Sequence, residues 1–294
     1  MTALLLGVLG LTLSLVVPGP LARARWPDRA PAAGVVAWQA ITLAAVLSAL
    51  GVVLAAPEEL VRAAGSGRPV AAAALIGALV VAAVIVLRLL VALVGVSVRS
   101  RARRARHRML ADLLDRAERH QRIDVEGLRV LDGAVPLAYC VPGRSPRVVL
   151  TDGALQLLDE PQVDAVLRHE QAHLRHRHDL VLESFTAFYQ AVPAPLRSRA
   201  PLDAVHLLLE MVADDAARGR SGPEPLRAAL ELLSDAVEGT AEDRRRRLDR
   251  LGPADRRSTA LTVLVVTLAA GLLVLPTVIL VVPWLDQALE AWPL

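Results

Sequence analysis

Positions 169 to 173 read His169-Glu170-Gln171-Ala172-His173, two imidazoles four residues apart with a carboxylate beside the first. Residues four apart share one face of a helix, so both rings can close on a single ion at ~2.0–2.1 Å, as zinc requires. Glu170 then sits where it can take a proton from a water polarised by that ion, the chemistry of metal-assisted hydrolysis. Five-residue patterns also arise by chance, so the weight rests on context. The stretch from Pro161 to about Phe185 reads as one helix, with Val163, Val166, Leu167, Ala172 and Leu174 as its apolar positions, and four of the seven histidines fall between 169 and 178.

A zinc ion that keeps one position for water takes three protein ligands. Two residues compete for the third place. Glu210 lies in a second helical stretch, Leu202 to Arg218, within Glu210-Met211-Val212-Ala213-Asp214. Asp179 follows His169 at a spacing that serves when a glycine turns the chain back, but His176 holds the glycine position. A helix running straight on would carry Asp179 about two turns past His173, which favours Glu210. His206, one turn before Glu210 on the same face, has an oxyanion-stabilising reading beside the default of helix surface. His176, His178 and Asp215 read as solvated, Cys140 as a small buried hydrophobe, and Tyr139 as a packing residue.

These residues need elements to hold them. The chain of 294 residues is 54% hydrophobic with only 3% aromatics and a mean hydropathy of +0.45, which points to a membrane class. The apolar residues pool into four blocks, at about 2–18, 34–56, 70–98 and 259–283, the last three each able to cross ~30 Å of hydrocarbon as helices. The first block follows no basic residue, which argues for a short span over a cleaved signal peptide. Residues 99–258 form a charged middle domain and 284–294 a short external tail. Short strands are expected at Leu128 to Asp132 and Arg147 to Leu150, and a basic amphipathic helix from Arg103 to His120. Cys140 is the single cysteine, which excludes an internal disulfide and a cysteine metal cluster.

All 33 basic residues are arginine, and they cluster beside the apolar blocks, so the pI near 9.9 reads as topology rather than nucleic-acid binding. Arg23, Arg25 and Arg29 follow the first block, Arg99 to Arg108 the third, and Arg244 to Arg247 precede the fourth. One arrangement satisfies them: both termini outside and the middle domain in the cytoplasm, with Arg244 to Arg247 as a membrane-proximal anchor. Arg88, inside the third block, reads as snorkelling or facing a neighbouring helix.

H-E-x-x-H on one helix, E-x-x-A-D on a second, and spans on both sides resemble the BlaR/MecR-type membrane metallopeptidases, gluzincins more distantly related to the HtpX and prenyl-protease group. The resemblance implies a mainly α membrane protein with four transmembrane helices and a cytoplasmic α+β zinc protease domain, in a bacterial inner membrane. It implies one Zn2+ held by His169, His173 and Glu210, Glu170 as general base, and Asp214 orienting a ligand histidine. Arg147 to Leu155 resembles the family's edge strand, which implies substrate added as a strand along Val148 and Val149. The partners implied are the lipid bilayer and a cytoplasmic protein substrate, by analogy a transcriptional repressor. The family's antibiotic sensors carry an external penicillin-binding domain after the last span, and about a dozen residues follow Val282 here, so direct β-lactam sensing is not expected. Two rivals stand beside this reading: a quality-control protease of the HtpX kind, whose second pair of membrane segments separates the metal motifs, and a non-catalytic scaffold with a vestigial zinc site.

Overall fold

The computed structural model describes residues 1–114, 127–233, 239–252 and 258–291. In chain order its helices and strands begin with α1 (Thr2–Leu11), α2 (Pro18–Arg23), α3 (Pro31–Gly65) and α4 (Pro69–Leu113). Next come β1 (Leu128–Leu131), β2 (Ala138–Val141) and β3 (Arg147–Thr151), then α5 (Asp152–Leu157), α6 (Glu160–Arg175) and α7 (His178–Ala191). The rest are α8 (Ala200–Ser221), α9 (Pro223–Leu232), α10 (Ala241–Arg250) and α11 (Thr259–Ala291). The chain divides into two compact units: Met1–Val94, Ala187–Ala204 and Ser258–Leu294 in one, Gly95–Thr186 and Val205–Arg257 in the other.

Four stretches are long and apolar enough to cross a membrane: Thr2–Arg23, Pro31–Gly65, Pro69–Leu113 and Thr259–Pro283. In the first, a wide π turn at Thr12–Val16 joins α1 to α2. The helices outrun the apolar blocks read from sequence. α3 passes through Pro57 to Gly65, and α4 carries straight on through the arginines to Leu113. Hydropathy fixes the apolar stretch, whereas Ala, Leu, Glu and Arg keep the helix going beyond it. For the same reason α11 runs to Ala291, so the tail expected from 284 is helical to that point. Residues 115–120 of the expected amphipathic helix lie outside the described residues.

Within the first unit α3 packs against both α1 and α11. Small residues set the approach: a Cβ on Gly51 would lie 2.6 Å from Leu6 Cδ1, and one on Gly10 3.2 Å from the Ser48 Cβ. Close packing of this kind is what holds helices together where lipid supplies no hydrophobic drive. The Ser48 hydroxyl is satisfied inside its own helix, donating to Ala44 O at 2.7 Å.

The second unit is built on a three-stranded sheet of order β1-β3-β2, β1 parallel and β2 antiparallel to β3. Alternation sends Leu128, Val130, Val148 and Leu150 to one face, against Val163, Val166 and Leu167 of α6 and Ala229 of α9. Leu131, Tyr139, Val141 and Val149 go to the other, against Ala111 of α4. This corrects the edge-strand expectation. β3 is the central strand, paired on both sides, and Val148 and Val149 are buried, so neither is open to a substrate. Among the described residues the edge on the side of β2 is the unpaired one facing α6.

α6 starts at a capping box: Asp159 accepts from Gln162 N, and the Gln162 side chain accepts from Asp159 N. The single helix expected from Pro161 to Phe185 is instead two. The chain breaks at His176 and Arg177, with Arg177 in the left-handed region at φ 52°, and α7 begins at His178.

Gly153, at the start of α5, tests how tightly this unit closes. Its N–H donates to Gly133 O at 2.8 Å, and a Cβ would meet Ala134 O at 2.3 Å, a backbone atom with little room to yield. Gly153→Ala is expected to destabilise the unit by about 1–3 kcal/mol. Thermal unfolding in detergent reads this, and a variant melting with the parent would contradict the close approach.

Candidate metal centre

α6 and α8 bring three ligand-type side chains together. His169 Nε2 lies 3.1 Å from His173 Nε2. Glu210 Oε2 is 3.4 Å from His169 Nε2, and Oε1 is 3.3 Å from His173 Nε2. A tetrahedral ion bonded at ~2.0–2.1 Å holds its ligand atoms ~3.3 Å apart, a spacing that the imidazole pair approaches and that each glutamate oxygen approaches to its nearer imidazole. Among the described residues, His169, His173 and Glu210 form the group of metal-ligating type.

The surroundings favour a cation there. Asp214, one turn after Glu210 on α8, is 2% exposed and places Oδ1 3.0 Å from His169 Nδ1. That distance is an ion-pair contact with poor hydrogen-bond angles. Burial opposes charge on His169, yet Asp214 and Glu210 outweigh it and push its pKa up to about 10. His173 goes the other way, to about 3, through burial and then repulsion from His169. Burial works against ionising Glu210, but His169 and Arg247 hold it well below the usual carboxylate range. Glu170 is pushed up by burial and by the Glu210 charge, in spite of His169, Cys140 and Arg247. A carboxylate raised in this way is suited to accept and return a proton.

Two participants went unseen in the sequence. The first is Arg247 of α10, read there as a membrane-proximal anchor. It is buried, donates from Nε and Nη2 to the two Asp214 oxygens at 2.8 Å each, and reaches Glu210 Oε2 from Nη1 at 3.0 Å. Four consecutive arginines gave no hint of which one turns inward. The helical register of Leu248 and Leu251 against Leu226 and Leu230 offers that signal only once α9 is placed. The second is His178, read as solvated. It is 3% exposed, with Nδ1 2.9 Å from His173 Nδ1. Burial, then the charge of His176, lowers its pKa to about 4, so it stays neutral and can accept the proton on His173 Nδ1, fixing the tautomer that frees Nε2. The break after α6 brings it back under His173, and a straight helix would not.

The remaining candidates separate. His206 is half-buried and, among the described residues, joins no hydrogen bond or ion pair with the cluster. Asp179 binds Arg104 at 2.6 Å, and the same guanidinium reaches Glu183 at 2.5 Å. Asp215 is not simply solvated, because Arg250 holds both its oxygens at 2.7 Å. The Cys140 thiol, on the α6 face of β2, lies against the Glu170 carboxylate, and burial followed by that charge raises its pKa.

The comparisons fall on this region. Residues 99–213 match the family described as Peptidase family M48. A stretch of 86 residues is 31% identical to the Protease HtpX homolog of Campylobacter hominis, covering 28% of this chain and 30% of that relative. No solved structure matches the chain. With four apolar helices, these matches support a multi-pass, membrane-associated metallopeptidase. The named relative lies on the HtpX side of the two resemblances, and the BlaR/MecR type is carried by neither match.

Arg247→Met is expected to cost about 3–5 kcal/mol, because it leaves the buried Asp214 and Glu210 carboxylates without their counter-charge. Adding Asp214→Asn should recover part of the loss in thermal unfolding. A double variant as unstable as the sum of the singles would mean the two residues are not coupled.

Proposed function

We propose that the protein is a membrane-anchored, zinc-dependent endopeptidase. The observation that carries this reading is the convergence of His169, His173 and Glu210 within 3.4 Å, with a partly buried Glu170 beside them. His169, His173 and Glu210 would hold a zinc ion, which would lend Lewis acidity to a peptide carbonyl and to the attacking water. Glu170 takes the proton of that water and delivers it to the leaving amine, and its raised pKa favours the first of these transfers. Asp214 and His178 fix the two imidazoles through their Nδ1 atoms. Arg247 keeps Asp214 and Glu210 ionised together.

The substrate strand belongs on β2. Thr151 N donates to Leu137 O, so in the antiparallel register the backbone of Tyr139 faces β3 and that of Ala138 and Cys140 faces the free edge. An extended peptide added there would lie beside Glu170.

The catalytic unit is assigned to the cytoplasmic side of a bacterial inner membrane, both termini outside, from the arginines that flank the spans. Cleavage of a cytoplasmic repressor rests on the BlaR/MecR resemblance alone. The HtpX relative favours a second reading, in which the substrates are damaged membrane proteins. Against it, no candidate span among the described residues lies between His173 and Glu210.

Glu170→Gln should retain one zinc per chain by metal analysis while peptide cleavage in nanodiscs falls at least ~10²-fold. His169→Ala should lose the metal. Full activity in the Glu170 variant would overturn the assignment. Proteins that accumulate only in cells carrying that variant separate the two substrate readings.

A further inference from the structure

α4 points its arginines in every direction, and the contacts of its far end show which face is fixed. Ala111 packs on Val141 and Val149 of the sheet. The Asp112 carboxylate accepts from Arg129 Nε at 2.9 Å and from Arg147 Nε at 3.0 Å. The Arg108 guanidinium lies over Gly143, between β2 and β3, where a Cβ would leave it no room. Residues 104, 108 and 111 share one face of a helix, so the contacts that seat Arg108 and Ala111 also turn Arg104 inward. Arg101, Arg103 and Arg106 stay exposed on the same helix.

Arg104 meets the first turns of α7. Its Nη1 donates to Asp179 Oδ2 at 2.6 Å, and its Nη2 reaches Glu183 Oε1 at 2.5 Å. The three side chains are 18%, 12% and 15% exposed, so water screens their charges only weakly. Asp179 and Glu183 stand four residues apart on one helix, where like charges repel. Without Arg104 the nearest cation is Arg177, which is 57% exposed and 3.4 Å from Asp179. The repulsion would then fall on the turn before α7, where Arg177 already occupies the left-handed region. His178 opens α7 beside Asp179, and its Nδ1 meets His173 Nδ1 at 2.9 Å. The chain of contacts therefore runs from α4 to a metal-ligand histidine.

We infer that Arg104 is a positioning residue of the metal centre: it holds the start of α7 so that His178 keeps His173 presenting Nε2. Arg104 touches none of the three ligands and acts only through Asp179 and Glu183. What the centre does rests on the peptidase reading, whereas the placement rests on these contacts alone.

The test is zinc competition against a chromophoric chelator, with the full chain in nanodiscs. Arg104→Gln should weaken zinc binding by about tenfold, the low end of what losing a ligand's outer partner costs. Adding Asp179→Asn and Glu183→Gln removes the unbalanced charge and should recover part of the loss. Arg106→Gln, exposed on the same helix, should change nothing. Should Arg104→Gln fold poorly, Arg104→Lys, which reaches one carboxylate, is expected to lie between it and the parent. A second readout needs no metal. Nitrogen NMR of isotope-labelled histidine should show His173 protonated at Nδ1 in the parent, a signal absent from His173→Gln, and mixed tautomers in Arg104→Gln. An Arg104→Gln variant that matches the parent in both measurements would overturn the inference. A loss that the triple variant leaves whole would overturn the charge argument. A parent that binds no zinc would sink the metal centre, and the tautomer would still decide the placement.

Discussion

Everything at the centre depends on keeping two carboxylates ionised out of water. Asp214 and Glu210 lie one turn apart on α8 with little access to solvent, where each charge alone would be driven to protonate. Arg247 answers both, with two hydrogen bonds to Asp214 and a third contact to Glu210. Protonated Glu210 would be a poor ligand, and protonated Asp214 would lose its hold on His169. Metal affinity and the geometry of the first histidine therefore both hang on one guanidinium from α10, far along the chain from either motif. Even with Arg247 in place, two carboxylates face one guanidinium, and the excess of negative charge is what a divalent cation between His169 and His173 would neutralise.

The parts legible in the sequence were those with a short-range signature. His169, Glu170 and His173 carry their spacing with them, and the apolar runs declare four spans. Glu210 could be chosen over Asp179 because helical rise is fixed. The rejection of Asp179 also assumed a straight helix, whereas the chain breaks at Arg177. Strand order was not legible, since the hydrophobic run Val148-Val149-Leu150 says that β3 is buried but not whether one or two strands flank it. Continuous burial on both faces was the clue, because an edge strand seldom hides every residue.

Arginine was the hardest residue to read, because the same side chain does three different things here. At α4 and α10 it was taken as topology, yet Arg104 and Arg247 turn inward to carboxylates, and Arg250 clamps Asp215. Arg101, Arg103 and Arg106 on α4 and Arg245 on α10 stay exposed. Sequence composition cannot separate these uses, since a basic run on a helix always offers every direction in turn. What selects the buried member is the apolar stripe beside it, and in α10 that stripe is only Leu248 with Leu251 following.

The break after α6 shows how a local cost is recovered. Arg177 sits at φ 52°, a conformation that burdens a residue with a Cβ by about 1–3 kcal/mol when nothing offsets it. Two contacts on the far side of the turn supply the offset. His178 returns to His173 Nδ1, and Asp179 takes the Arg104 guanidinium together with Glu183. Glycine at 177 would relieve the strain but loosen the same turn, giving His178 more ways to miss its partner. The residue that was weighed and rejected as a metal ligand thus acts one step back: Asp179 helps hold the turn that places His178, and His178 sets which nitrogen of His173 faces the centre.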